Sequence, residues 1–111
     1  MIEIHPTAFV SPLADIEESV KGSKVVVGPN SYIDAFVKIK AAGGTGDIVI
    51  GRNSFINSGC VLYIGNGIII GNNVSIGHNA LVHGCTIEDN VLIGMGAIVM
   101  DNCLVKSGSI I

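Results

Sequence analysis

Two histidines five residues apart, His78 and His83 in SIGHNALVHGC, are the side chains of this 111-residue chain best suited to chemistry near neutral pH. A neutral imidazole can take a proton from a hydroxyl or an amine, and it can also hold a transition metal through one ring nitrogen. A catalytic zinc centre ordinarily asks for three protein ligands and a water, so two imidazoles alone are one donor short. The third histidine, His5, stands beside Pro6 near the start and reads as a surface residue. The three cysteines, Cys60, Cys85 and Cys103, form no CxxC pair and no even-numbered framework, so neither a zinc knuckle nor a disulfide scaffold is indicated. Cys85, directly after His83 and Gly84, is the one thiol that reads as reactive. The Gly-rich segment KAAGGTGD, 40–47, has the composition of a phosphate cradle but neither a following helix nor a GK[ST] element, so it reads as an excursion of the chain.

Which elements hold these groups follows from composition and period. Eighteen Ile and thirteen Val supply strand formers, fifteen Gly supply turns, and no stretch has a helical pattern. With no Trp and 5% aromatic residues the core must be aliphatic, and the length suits one domain, 1–111. Six Lys and Arg, scattered singly in a chain of net charge −3, give no footprint for nucleic acid or an anionic membrane. No apolar run approaches the roughly 20 residues of a membrane span, and MIEIHPTAFV lacks the basic-then-apolar order of a signal peptide. A cytoplasmic protein with reduced thiols is expected.

The apolar residues recur every six positions, at Ile4, Val10, Ile16, then Val27, Ile33, Ile39, then Ile50, Ile56, Leu62, then Ile70, Ile76, Val82, and on through Ile87, Ile93, Val99, Val105 and Ile111. Counting four forward from each gives a second row that is mostly small, including Ala8, Ala14, Ser31, Ser54, Cys60, Ala80, Thr86 and Cys103, with Val20 also in it. Gly43 and Asn66 interrupt that row. On this count Cys60 and Cys103 point inward and Cys85 does not. The spacing changes only at every third junction, from Ile16 to Val27, Ile39 to Ile50, Leu62 to Ile70 and Val82 to Ile87. Three short strands therefore close one coil, and the irregular residues leave from one corner of a triangular prism. Five coils are complete and a sixth begins, with parallel strands stacked about 4.8 Å apart. In this frame Tyr63 follows Leu62 as His83 follows Val82, so the two are neighbours on one row.

The six-residue pattern resembles the left-handed parallel β-helix of the bacterial hexapeptide-repeat family, over essentially the whole chain. The resemblance implies the handedness, which the period does not give, and a homotrimer with active sites between subunits. Family members usually finish with further coils or a C-terminal helix; here the sequence stops at Ile111 without one, which suggests a trimer open to further end-to-end stacking. The segment from Ile70 to Asp101 is similar to γ-class carbonic anhydrases, whose IGH and HG elements supply two zinc-binding imidazoles at the positions of His78 and His83. That family's third ligand, a His, is replaced by Tyr63; its Gln is replaced by Asn57, and its Arg and Asp by Asp34 and Phe36. This reading implies a zinc or iron site of His78, His83 and Tyr63, two from one subunit and one from its neighbour, incomplete for carbon dioxide hydration.

The segment from Ile33 to Val74 is similar to hexapeptide-repeat O-acyltransferases that modify sugars. That resemblance implies acyl transfer from acyl-coenzyme A to a sugar-like hydroxyl or amine on a small-molecule substrate, with His78 or His83 as general base and Asn57 and Tyr63 as substrate contacts. The Asn-His loop usual after IGNNV is replaced here by IGHNALVHG. The expected activity is acyltransferase, with the metal protein and a non-catalytic trimeric scaffold as alternatives.

Overall fold

The computed structural model describes residues 1–41 and 43–111. Ala42, inside the Gly-rich excursion 40–47, lies outside them. Among the described residues every regular element is a strand of two or three residues, and all pairings are parallel. Runs this short follow from a sequence in which each pair of β-branched residues meets a turn signal within a few positions.

The strands form three sheets, each one face of a triangular prism, and together they wind as a left-handed parallel β-helix of five coils with a sixth begun. The first face stacks Ile2–Ile4, Val25–Val27, Ile48–Ile50, Ile68–Ile70, Thr86–Ile87 and Leu104–Val105. The second stacks Phe9–Val10, Tyr32–Ile33, Phe55–Ile56, Ser75–Ile76 and Leu92–Ile93, with a bridge from Leu92 to Ile110. The third stacks Asp15–Glu17, Lys38–Lys40, Val61–Tyr63, Leu81–His83 and Ile98–Val99. No helix among the described residues is long and apolar enough to cross a membrane.

The six-residue aliphatics of the middle coils fill the interior, with Ile33, Ile39, Ile50, Ile56, Leu62, Ile70, Ile76, Val82, Ile87 and Ile93 all at most 1% exposed, whereas Ile4 and Ile111 at the two ends of the series are exposed because no described coil covers them. The second inward row, however, is fixed by counting two back from each aliphatic rather than four forward from the previous one. The two counts agree at regular junctions and part at irregular ones, because the excess residues leave the coil before the next strand begins. Val25, Ile48, Ile68 and Cys85 are therefore the buried members on the first face, while Val20 is 86% exposed and Thr86 only half-buried. Gly43 and Asn66 are not interruptions; they lie in the excursions.

The same shift corrects one thiol, and position on the end coil corrects another. Cys85 is buried in the core cluster, and burial pushes its thiol up to about 12, so it is not the reactive thiol the forward count suggested. Cys103, expected in the core, keeps its inward position two before Val105 but is exposed, because it lies at the open end beside Val99, Val105 and Ile111. Cys60 is buried as expected, its thiol likewise raised by burial. The inward serines are satisfied within the stack: Ser31 Oγ donates to Gly51 O at 2.6 Å and accepts from Ser54 N at 3.0 Å, and Ser54 Oγ donates to Gly71 O at 2.8 Å.

Candidate functional site

The third face carries a histidine at each of its edges. His78 lies in the corner that leads into the face, two residues after Ile76, and His83 is the last residue of the strand Leu81–His83. Outward positions between them and on neighbouring coils are apolar toward the C-terminal end, with Ile98 67% exposed. Toward the N-terminal end the face is charged, with an exposed Lys38–Asp15 pair at 3.6 Å.

The row ending in His83 gives the closing edge its chemistry. Parallel register stacks Glu17, Lys40, Tyr63 and His83 on successive coils, one residue after each core aliphatic. Lys40 Nζ donates to Glu17 Oε2 at 3.0 Å, and that bond holds the Lys40 ammonium above its ordinary range. Tyr63 lies flat on the His83 imidazole, ring centroids 5.1 Å apart and planes 6° from parallel. On the coil beyond, Asp101 Oδ1 comes to 3.4 Å from His83 Nδ1. His83 and Asp101 share a hollow of about 180 Å³ with Leu81, Ile98, Val99 and Met100.

Glycine makes this approach feasible. A Cβ on Gly65, whose φ is +49°, would stand 2.9 Å from Asp101 Oδ1 and close to the backbone of Gly84. The Asn102 N–H donates to Gly84 O at 2.7 Å, tying the chain beside Asp101 to the coil of His83.

The opening edge is simpler. His78 is exposed, and its Nδ1 lies 2.9 Å from Ser58 Oγ on the coil below. Asn57, the other expected substrate contact, is half-buried and donates from Nδ2 to Ile76 O at 2.8 Å, clipping one coil to the next. The expected neighbours Tyr63 and His83 are thus brought together, whereas His78 and Asn57 belong to the opposite edge. Asp101, Ser58 and Gly65 were missed by reading motifs; extending the row of Tyr63 and His83 by one coil would have reached Met100 and the adjacent Asp101.

A zinc or iron site does not fit what one chain provides. The donors implied by resemblance are two imidazoles at opposite edges and a phenol stacked flat on one of them, and among the described residues no three His, Cys, Asp or Glu side chains converge on one point. His5 is exposed, with Nδ1 2.9 Å from Thr7 Oγ1, as expected of a surface residue.

Three faces of short parallel strands around a six-residue aliphatic repeat define a hexapeptide-repeat left-handed β-helix. A family profile described as the hexapeptide repeat of succinyl-transferase matches residues 67–101. The carnitine operon protein CaiE of Escherichia coli K12 is 34% identical over 110 residues, covering 97% of this chain and 53% of that protein. The chain therefore spans about half the length of the curated relatives it matches. Among solved structures, a hexapeptide transferase family protein from Anaplasma phagocytophilum has a TM-score of 0.65 at 23% identity, covering 98% of this chain and 68% of that one. The acetyltransferase domain of PglB from Neisseria gonorrhoeae, in complex with acetyl coenzyme A, has a TM-score of 0.52 at 29% identity, covering 98% and 53%. The repeat and the fold of this chain are those of the hexapeptide-repeat proteins to which it is similar.

Proposed function

We propose that this chain acts in acyl transfer from acyl-coenzyme A to a hydroxyl or amine of a sugar-like small molecule, with a histidine of the third face as general base. The observation that carries the reading is the 29% identity, over nearly the whole chain, with an acetyltransferase domain solved with acetyl coenzyme A. The imidazoles of His78 and His83 supply the one group this chemistry requires of the protein near neutral pH.

In the step itself the imidazole takes the acceptor proton as the oxygen or nitrogen attacks the thioester carbonyl. The C–S bond then breaks, and the departing thiolate receives that proton from the imidazolium. The working unit in this proposal is a cytoplasmic homotrimer with sites between subunits, which the apolar outward residues of the third face, Val61, Leu81 and Ile98, would help to hold. In such an assembly the His83 edge of one copy meets the His78 edge of the next, with Tyr63 and Asn57 at the border of the site.

The test is thiol release from acetyl-coenzyme A over a panel of amino and hydroxy sugars. Turnover is expected that disappears in the His78→Ala, His83→Ala double variant. Release no faster than in that variant, for every acceptor, would overturn the proposal.

A further inference from the structure

We infer that His83, rather than His78, is the base, and that Asp101 is its positioning residue; this rests on the acyl-transfer reading above. The two histidines differ in what faces their Nδ1 atoms. For His83 it is a carboxylate, Asp101 Oδ1, at 3.4 Å; for His78 it is a hydroxyl, Ser58 Oγ, at 2.9 Å. A carboxylate only accepts, so it favours the tautomer with a proton on Nδ1 and leaves Nε2 bare to receive one. A serine hydroxyl accepts or donates with equal ease and selects neither tautomer.

Three further features converge on His83. The Tyr63 ring covers one face of the imidazole nearly in parallel, which limits its rotation about χ2. The His83 side chain is 36% exposed and lines, with Asp101, a hollow walled by Leu81, Ile98, Val99 and Met100, so the ring has a carboxylate on one side and apolar walls around it. The carboxylate is given its place by the missing side chain of Gly65. The 3.4 Å separation is longer than a formed hydrogen bond, as is common before substrate draws such a pair together.

The balance of the step is unchanged: the acceptor proton goes to His83 Nε2 and returns to the coenzyme A sulfur, while the Nδ1 proton stays between His83 and Asp101. Asp101 touches neither acceptor nor thioester.

The experiment is nitrogen-15 NMR of histidine-labelled intact protein alongside steady-state kinetics, in wild type, Asp101→Asn and Asp101→Glu. Neutral His83 in wild type should show the Nδ1–H tautomer, and Asp101→Asn should move it toward Nε2–H while His78 keeps its signals. Asp101→Asn should lower kcat on the order of 10- to 100-fold with KM within about twofold, and Asp101→Glu should recover part of the loss. Asp101 is 56% exposed, so the variants should fold, and an unshifted His78 spectrum reports that they do. A His83 tautomer that is the same in wild type and Asp101→Asn overturns the inference. If no acceptor is acylated by wild type, the acyl-transfer reading fails, yet the tautomer comparison still decides whether Asp101 sets the ring.

Discussion

The two edges of the third face begin from the same residue type and end with different capacities. At the opening edge His78 projects from a turn into solvent with a serine for company; at the closing edge His83 lies between an aromatic ring and a carboxylate and lines an apolar hollow. An imidazole acquires a role from the groups one coil above and below it, because in a parallel stack those are its fixed neighbours. Sequence spacing gives the two histidines equal standing, and the rows they join separate them.

The largest effect that could break this contrast is on turnover. His83→Ala should cut acyl transfer by about 10²- to 10⁴-fold, the usual contribution of a general base, and His78→Ala by far less; equal losses would erase the distinction between the edges. Next comes Gly65→Ala, which places a methyl 2.9 Å from the Asp101 carboxylate and should lower kcat roughly 10-fold by moving it off His83. A wild-type rate in that variant would show that the carboxylate does not need its present place.

The opening edge holds a conformational oddity that the closing edge lacks. Phe36, two coils before His78 and 67% exposed, adopts φ +62°, where the matching positions on later coils are Gly59, Asn79 and Gly96. Phe36→Asn should stabilise the fold by about 1 kcal/mol, seen as a melting temperature higher by roughly 4 °C. No gain would mean that the exposed ring contributes packing equal to the strain.

The smallest effects concern the thiols beside and beyond the closing edge. At pH 8 a soluble maleimide should label Cys103 quickly and leave Cys60 and Cys85 untouched until the protein unfolds. Cys85 titrates near 12 in the fold against an ordinary value of 9.0, so its burial adds stability that is complete below pH 9 and is lost as pH rises toward 12. Denaturant midpoints followed over that range should fall more steeply for wild type than for Cys85→Ala.

Much of this was legible in the residues. The six-residue period named the core aliphatics of the middle coils one by one, failing only at the exposed ends Ile4 and Ile111, and the four irregular junctions placed the three faces and the Tyr63–His83 row. What escaped was local. Counting forward through an irregular junction misplaced Cys85, because the one-residue deficit before Ile87 is taken from the corner and not from the strand. Asp101 escaped because it lies just beyond the row of His83 and reaches it only over the bare backbone of Gly65, an approach that period alone does not encode. That the Asn57 amide also clips one coil to a carbonyl of the next was not visible in its motif either.

The row from Glu17 through Lys40 and Tyr63 to His83 sets one side chain per coil at constant pitch. It behaves as a ruler whose marks can be rewritten separately. Each rung answers mainly to the rungs on either side, so a lineage built on it could gain, lose or exchange a functional group by single substitutions without renegotiating the rest of the scaffold. Tyr63, one rung from His83, is such a mark, and the chemical identity of the corner is therefore more easily altered than its shape.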